Sequence, residues 1–288
     1  MYRIIAKTEL ATNTTLFEIE APDVALKARP GQFVVVRADD HGERIPLTIA
    51  DFDAAKGTVT LVILSAGKTT RQLSMLREGD AILDLAGPLG NPAEIIENGT
   101  VVCIGGGLGI APIYPIAREL KKHNNKVISI IGARSASLLF WEEKMREISD
   151  EMFIVTDDGT KGRKGFAVHP LMDLINSKEK IDRVIIIGST IMMKVTSEAT
   201  RPYGIKTIAS LNPIMVDGTG MCGSCRVTVG GHTKFTCVDG PEFDAHAIDF
   251  DGLMARLRMY LSEEKTAVEK YEHEIQGVPA CLSLPLLK

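Results

Sequence analysis

The sequence has few aromatic residues, little net charge and no long uninterrupted apolar segment. Aromatic residues make up 5% of its 288 positions, and the net charge at pH 7 is −4. A chain so near neutrality lacks the basic excess typical of proteins that bind nucleic acid or anionic membranes. The longest apolar run, residues 101–117, contains four glycines and two prolines and is shorter than the roughly 20 residues of a membrane span. We therefore expect neither nucleic acid nor a membrane as a partner.

Export signals and a disulfide framework are also missing. The opening MYRIIAKTEL lacks the apolar core and cleavage pattern of a signal peptide, so we expect a cytoplasmic location. Five cysteines are an odd count, which without export favours metal binding or free thiols over disulfides. The length is enough for about two domains with a sizeable core.

Residue patterns divide the chain into three parts. Short β-branched and apolar runs separated by Gly, Pro and Asp fill residues 1–97 and predict an antiparallel barrel or sandwich. Over residues 98–210 apolar strands alternate with helices, which predicts a parallel sheet covered on both faces. Residues 211–288 begin with a cysteine-rich segment and continue with a helix predicted from Gly252 to Glu274. The fold class is thus β followed by α/β, with a small C-terminal part.

Glycine-rich loops follow several strands of the predicted parallel sheet. The first, GGGLGIAP, opens a helix and contains Gly106, Gly107, Gly109, Ile110 and Ala111. Such a loop lets a pyrophosphate approach the backbone at a helix N-terminus, although it can also be only a tight turn. Loops after later strands contribute Asp157, Asp158, Gly188, Ser189 and Met192. Loops of this type at one sheet edge predict a dinucleotide crevice. Arg134, at another strand end, either reaches the adenosine ribose or a 2′-phosphate, or is a solvated charge.

Three cysteines lie in the segment DGTGMCGSCRVTVGGHTKFTC, residues 217–237. Cys222 and Cys225 form a C-x-x-C pair, and the VGGH stretch at 229–232 predicts a hairpin because two glycines supply the positive φ of its turn. Pairing Val229 with His232 brings Cys237 back beside the C-x-x-C pair. Plant-type [2Fe–2S] spacing has a further cysteine five residues before that pair, where this chain has Asp217.

Three interpretations of the cysteine segment stay open. We favour a [2Fe–2S] cluster held by Asp217, Cys222, Cys225 and Cys237, since a carboxylate oxygen can bind ferric iron. The alternatives are a cluster that uses the distant Cys281, and a zinc site or no metal at all. Otherwise Cys103 and Cys281 are expected to be small buried hydrophobic residues.

The combination of GGGLGIAP after a β-rich part, the later GST-x-MM and the cysteine segment resembles the ferredoxin–NADP reductase superfamily. Within it, the chain is similar to the electron-transfer subunits of NAD-dependent dihydroorotate dehydrogenase and of the NADH-dependent reduced ferredoxin:NADP oxidoreductase, also called sulfide dehydrogenase β subunit. The aspartate with three cysteines, in place of four cysteines, resembles the second group. The resemblance implies an FAD-binding barrel before a nicotinamide-binding domain.

The resemblance also implies two FAD-binding segments in the barrel. They are Arg44, Pro46, Leu47 and Thr48, and then Leu64, Gly67, Lys68, Thr69 and Thr70. The superfamily's R-x-Y-S pattern is altered, with Ile45 where its arginine belongs and Leu47 where its aromatic residue belongs. The C-G-P motif is replaced by Ile187-Gly188-Ser189, so no cysteine is expected beside the nicotinamide.

By the same resemblance, the chain exchanges a hydride between NAD(H) and FAD and passes single electrons to the [2Fe–2S] cluster. Its expected partner is a larger subunit with further flavin and [4Fe–4S] centres that binds NADP(H) and receives electrons from ferredoxin. Alternatives are the dihydroorotate dehydrogenase subunit, a monomeric ferredoxin reductase and a non-catalytic redox-sensing module.

Overall fold

The computed structural model describes residues 1–276, and its first ninety residues form a closely packed antiparallel sheet. The sheet has seven strands in the order β6-β1-β2-β5-β4-β3-β7. Its elements are β1 (Tyr2–Ala11), β2 (Thr14–Glu20), α1 (Pro22–Ala25), β3 (Phe33–Arg37), β4 (Arg44–Asp53), β5 (Thr58–Leu64), α2 (Lys68–Met75), β6 (Ala81–Ile82) and β7 (Asp84–Leu89). The predicted antiparallel barrel-type fold is confirmed for this part.

The second sheet carries the predicted α/β fold. Its strand order is β11-β10-β9-β8-β12-β13-β16, and all of its pairings are parallel except that of β16. Its elements before the cysteine segment are β8 (Thr100–Gly106), α3 (Ile110–Lys122), β9 (Lys126–Ala133), α4 (Glu142–Glu147), β10 (Glu151–Thr156), β11 (Arg163–Lys164), α5 (Val168–Asn176), β12 (Arg183–Ile187), α6 (Thr190–Thr200) and β13 (Thr207–Ser210).

The remaining described elements are short, apart from the last. They are β14 (Arg226–Val229), β15 (His232–Phe235), α7 (Thr236–Asp239), β16 (Glu242–Asp244), α8 (Phe250–Leu257) and α9 (Leu261–Gln276). Strand β16 returns from the cysteine segment to pair with β13, so residues beyond 210 complete the edge of the second sheet. None of the helices over residues 1–276 has the length and apolar character needed to cross a bilayer.

The helix prediction for the C-terminal part was wrong in detail. The helix predicted from Gly252 to Glu274 is broken between Leu257 and Leu261. At the break the backbone hydrogen bonds change from four-residue to three-residue spacing, with Arg258 N donating to Ala255 O. The turn at the break lets α9 pack against α2. Helix α4 begins at Glu142, because the preceding residue, Trp141, has a left-handed φ of 56°.

Strand β5 joins the two sheets because it is buried on both of its faces. Leu61 and Ile63 point into the core of the barrel, whereas Val62 packs with the core between the barrel and α3. Ala50 on β4 lies in the same shared core. The barrel therefore presents an apolar outer face to the α/β part, which fixes how the strand ends of the two sheets meet.

An ion-pair cluster adds to this junction. Asp51 on β4, whose side chain is 18% exposed, accepts from Arg118 on α3 at 2.7 Å and from Lys144 on α4 at 2.9 Å. The Lys144 ammonium lies 4.1 Å from the ring centroids of both Tyr114 and Trp141. Because these charges are half buried, they interact more strongly than surface pairs do.

Replacing Asp51 with asparagine is expected to lower the free energy of unfolding by about 1–3 kcal/mol, since two half-buried cations lose their counter-charge. The native emission of Trp141 should shift as well, and this residue is the chain's single tryptophan. Urea unfolding followed by tryptophan fluorescence measures both effects. Glu9→Gln, a change on exposed β1, is the control, and equal stability of the two variants would contradict the prediction.

Candidate functional site

A cleft of about 660 Å³ lies between the barrel and the carboxyl ends of the parallel strands. Its α/β wall is formed by the loops after β8 and β12, which are neighbours in the sheet although the chain runs from β8 through β9 and β10 before reaching β12. Such a switch in strand order leaves a crevice where α/β proteins bind ligands. The fold therefore places an open crevice where the sequence predicted a dinucleotide.

Most of the predicted cofactor-binding residues line this cleft. From the barrel they are Pro46, Leu47, Thr48 and Leu64; from the α/β part they are Gly106, Gly107, Gly109, Ala111, Arg134, Asp157, Gly188, Ser189 and Met192. The sequence did not single out several other lining residues, among them Phe33, Phe140, Asn212, Met215 and Pro241. No motif marks these positions, because they are brought to the cleft by tertiary packing alone.

The remaining predicted residues lie outside the cleft wall. Ile110 is fully buried in the core beneath α3, so only its backbone can serve a ligand. Asp158 Oδ1 accepts a hydrogen bond from the Thr160 hydroxyl at 2.6 Å. Arg44 lines a different cavity of about 560 Å³, which it shares with Asp217.

The second predicted FAD segment forms the start of α2. The Thr70 hydroxyl accepts from Gly67 N at 3.0 Å, while Thr69 is buried and donates its hydroxyl proton to Glu43 Oε2 at 2.6 Å. Lys68 occupies the first helical position. The first-turn amides of a helix have no intrahelical partner, so this turn offers donors to a phosphate.

Glycines allow the two nucleotide loops to touch. A Cβ on Gly109 would lie 2.1 Å from the carbonyl oxygen of Ile187, and a Cβ on Gly106 or Gly188 would collide with the Met192 side chain. Ser189 caps α6 by accepting from Met192 N at 3.3 Å. The loops after β8 and β12 thus meet through bare backbone, as a close approach to a ligand requires.

The cysteine segment folds as its spacing predicted. Strands β14 and β15 pair Val229 with His232, and Thr236 N donates to Cys225 O at 3.2 Å. The hairpin brings Cys225 and Cys237 together, with their sulfurs 3.2 Å apart and both residues at most 2% exposed. Burial raises the pKa of Cys237 to about 12.

Asp217 and Cys222 form a second, more open pair. The two Asp217 oxygens accept from Thr219 N and Cys222 N, each at 2.8 Å. The hydrogen bond from the Thr219 amide holds the pKa of Asp217 below its usual value. Cys222 is exposed, and the Ser224 hydroxyl 3.1 Å from its sulfur lowers the pKa of its thiol.

Three thiols and a carboxylate are a donor set suited to iron. A mononuclear zinc site needs about four ligands around one ion, whereas here Cys225 lies against Cys237 and Cys222 lies beside Asp217. Donors in two pairs fit a cluster with more than one iron better than they fit zinc. Cys281, the alternative ligand, lies outside the described residues, and Cys103 is fully buried as expected.

An apolar cluster connects the cysteines to the cleft. Phe33 and Met215 line the cleft and also belong to the buried cluster that contains Cys225 and Cys237. Val35 in the same cluster packs against the cysteine loop, since a Cβ on Gly218 would lie 2.8 Å from its Cγ2 atom. One layer of side chains therefore connects the buried thiols to the cleft.

A guanidinium holds the C-x-x-C loop from α8. Arg256 Nη2 donates to the Ser224 carbonyl at 2.9 Å, and Arg226 Nη1 donates to the Gly223 carbonyl at 3.1 Å. Both positive charges thus lie on the loop between Cys222 and Cys225. Neither arginine was identified from the sequence. Nothing in its spacing links Arg256 on α8 to the cysteines, and Arg226, which directly follows Cys225, belongs to no ligand motif.

Glu242 is a buried carboxyl beside the rim of the cleft. Its cross-strand partner Ser210 lines the cleft, and its Oε1 has no hydrogen-bond partner among the described residues. Burial raises the pKa of Glu242 from 4.5 to about 7; the charge on Arg183 opposes this shift and that on Glu94 adds to it.

A carboxyl with a raised pKa in the folded state favours folding at low pH. Stability is therefore expected to fall as pH rises from about 4.5 to 7, by up to about 3 kcal/mol, while Glu242 becomes ionised only in the unfolded chain. Glu242→Gln should remove this part of the pH dependence and be the more stable protein above pH 7. Urea unfolding between pH 4.5 and 8 measures it, and parallel curves for both proteins would contradict the prediction.

Two family models match the chain. The oxidoreductase FAD-binding domain matches residues 1–93, and the iron–sulfur cluster binding domain of dihydroorotate dehydrogenase B matches residues 212–249. The second range contains Asp217 and all three cysteines of the segment. These matches confirm the predicted FAD and iron–sulfur cofactors, and the ferredoxin-reductase-like fold is one that binds NAD(H).

Similar proteins cover nearly the whole chain. An uncharacterized Clostridium beijerinckii protein from the adh 3′ region is 49% identical over 275 residues, 93% of each chain. The dihydroorotate dehydrogenase B (NAD(+)) electron transfer subunit homolog of Thermotoga maritima is 48% identical over 268 residues, 93% of this chain and 94% of that one. A chain in the structure of the NADH-dependent reduced ferredoxin–NADP oxidoreductase, solved to study flavin-based electron bifurcation, is 46% identical, with a TM-score of 0.89 and coverage of 94% and 98%.

Proposed function

Because the chain belongs to the family of dihydroorotate dehydrogenase B electron transfer subunits and their homologues, we propose that it passes electrons between NAD(H), FAD and a [2Fe–2S] cluster to a larger partner subunit. The complex would be an electron-bifurcating NADH-dependent reduced ferredoxin:NADP⁺ oxidoreductase. The three parts of this chain would be an FAD barrel over residues 1–97, an NAD(H) domain over 98–210 and a cluster-binding part over 211–288. Strand β16 of the last part returns to the second sheet.

The observation that carries this proposal is the shared apolar cluster of the cleft and the cysteines. Phe33 and Met215 contribute to both, so a flavin in the cleft and a cluster on the thiols would lie close together without intervening water. FAD supplies the exchange between two-electron and one-electron transfer, and the cluster carries single electrons. A site that only sensed nucleotide would not need this adjacency.

The residues of the cleft bind and orient both ring systems. Thr48 and Leu47 on β4 form part of the cleft wall on the barrel side. There the Thr48 hydroxyl can hydrogen-bond a flavin ring, and aliphatic side chains can pack against the face of the ring. On the opposite wall the bare backbone of Gly109 and Gly188 admits the nicotinamide nucleotide. Hydride transfer needs the two rings held in contact and water excluded, which this two-walled cleft is shaped to do.

The cluster ligands are proposed to be Asp217, Cys222, Cys225 and Cys237. The backbone amides of Thr219 and Cys222 keep the Asp217 carboxylate ionised, as a ligand must be. Asp217 also supports the bifurcating complex over dihydroorotate dehydrogenase, whose subunit resembles this one but has four cysteines. The family-model match over residues 212–249 keeps that enzyme as the second candidate.

The partner would be a larger subunit that binds NADP(H), carries flavin and [4Fe–4S] centres and receives electrons from ferredoxin. The exposed Cys222 edge of the cysteine segment suits electron exit toward such a partner. A cytoplasmic location and the contact of Arg44 with FAD stay predictions.

Anaerobic titration with NADH tests the proposed function. The purified protein should be yellow, bleach on adding NADH, and then give a reduced [2Fe–2S] signal by electron paramagnetic resonance. Co-expression with its operon neighbours should recover a larger flavoprotein that reduces NADP⁺ from NADH and reduced ferredoxin. A yellow protein that NADH does not bleach would contradict the proposal, and orotate formation by the complex would favour the second candidate.

A further inference from the structure

Two guanidinium groups lie against the C-x-x-C loop, residues 222–225. Arg256, in the last turn of α8, donates to the Ser224 carbonyl at 2.9 Å. Arg226, the first residue of β14, donates to the Gly223 carbonyl at 3.1 Å. Neither guanidinium is paired with a carboxylate in the part of the chain that the structure describes. The loop between two proposed cluster ligands therefore carries two positive charges that no acidic side chain neutralises.

Helix α8 is fixed to the cysteine hairpin, and this fixes the backbone position from which Arg256 reaches the loop. Asp249 caps the helix by accepting from a first-turn amide at 2.9 Å, and its own N–H donates to the Thr228 carbonyl on β14 at 2.9 Å. Leu253 is 2% exposed and shares a buried core with Val227 of β14. Because helix and hairpin are joined through both backbone and core, the base of the Arg256 side chain keeps its distance from the cysteines.

The carbonyl that Arg256 contacts belongs to the same residue whose hydroxyl contacts a cysteine sulfur. Ser224 Oγ lies 3.1 Å from Cys222 Sγ. A cation bound to a carbonyl oxygen also polarises that peptide group, whose other end is here the amide of Cys225. The positive charge of Arg256 thus acts on the proposed ligands through space and through the backbone of Ser224.

We propose that Arg256, with a smaller contribution from Arg226, raises the reduction potential of the iron–sulfur cluster and so favours the passage of electrons onto it. This inference rests on the proposed function, which places the cluster on Asp217 and the three cysteines. Three thiolates and a carboxylate make the site strongly negative, and reduction adds a further electron, so a nearby cation favours the reduced state.

The two arginines should differ in the size of their effect. Arg256 is half-buried, whereas Arg226 is exposed. Water and salt screen an exposed charge more strongly than one that is partly buried. The larger effect is therefore expected from Arg256, and the effect of Arg226 should shrink further as the salt concentration rises.

Redox titration of the full-length holoprotein, followed by electron paramagnetic resonance, tests the inference. Arg256→Gln removes the charge but keeps a side-chain donor. It should make reduction of the cluster about tenfold less favourable, a fall of about 59 mV for one electron. Arg256→Lys restores the charge and should recover at least half of this change. Arg226→Gln should shift the potential in the same direction, by about threefold or less.

Arg258→Gln is the matched control, because Arg258 is the exposed residue that directly follows α8, and it should keep the wild-type potential. Iron content is measured for every variant. If Arg256→Gln does not retain iron, Arg226→Gln decides, since its side chain is exposed and its removal leaves the core intact.

Three results would overturn the inference. They are a wild-type potential in the glutamine variants that retain iron, an equal fall in Arg258→Gln, and a potential in Arg256→Lys as low as in Arg256→Gln. The last result would show that the shape of the side chain matters rather than its charge. Wild-type protein that gives no [2Fe–2S] signal after reduction with dithionite would instead contradict the proposed function.

Discussion

Asp217→Ala is expected to strip the protein of its iron–sulfur cluster. The variant removes the only proposed ligand that is not a thiolate, and it also removes the acceptor of the Thr219 and Cys222 amides. Loss of a ligand together with its supporting contacts should weaken cluster retention by at least about tenfold. Iron and sulfide analysis, with electron paramagnetic resonance of the dithionite-reduced protein, measures the loss.

Two further substitutions separate ligation from loop structure. Asp217→Cys should keep the cluster but shift its g-values and reduction potential, because thiolate is a softer and stronger donor than carboxylate. Asp217→Asn removes the negative charge and keeps one of the two hydrogen bonds from the Thr219 and Cys222 amides, so it should disturb the loop less than alanine does and still lose cluster. Spectra that are unchanged in both the alanine and the cysteine variants would mean that Asp217 is not a ligand.

The cysteine site could be predicted from the sequence because its contacts are local. The turn at Gly230 and Gly231 sets the register of β14 and β15, and the register sets where Cys237 lies relative to Cys225. Spacing alone therefore gave the same pairing as the structure. The contact of Arg256 with the Ser224 carbonyl could not be predicted, since it joins residues 32 positions apart that no pattern relates.

The barrel was predicted less completely than the α/β part. Strand β1 of the barrel carries mostly exposed residues, with only Ile4 buried, so it shows no clear alternation of apolar and polar residues. In the second sheet, strands β13 and β16 are too short for periodicity to detect. The helix prediction across residues 258–260 failed because apolar spacing continues through the break, with Leu257 and Leu261 in phase. What stops the helix is tertiary, since α8 is fixed to the cysteine loop and α9 to α2.

Gly109→Ala is expected to slow flavin reduction by NADH about a hundredfold. Gly109 has φ −61° and ψ −12°, values that alanine adopts without strain. The cost is therefore purely steric, because the new Cβ would lie 2.1 Å from the Ile187 oxygen and 2.6 Å from its carbonyl carbon. Backbone cannot yield as a side chain does, so the loops after β8 and β12 must separate. A displacement of about 1 Å at a hydride-transfer site costs roughly this factor.

Anaerobic stopped-flow bleaching of the flavin measures the rate, and urea unfolding measures the accompanying loss of stability, about 1–3 kcal/mol for an overpacked site. Gly204→Ala is the comparison. Its Cβ would meet nothing within 4 Å, but its φ of +63° makes alanine unfavourable, so it should lose about 1–2 kcal/mol and keep the wild-type rate. If Gly109→Ala slows the reaction no more than Gly204→Ala does, the two loops do not position the nicotinamide. A selective loss instead ties hydride transfer to the contact between Gly109 and Ile187, since stability alone would affect both variants.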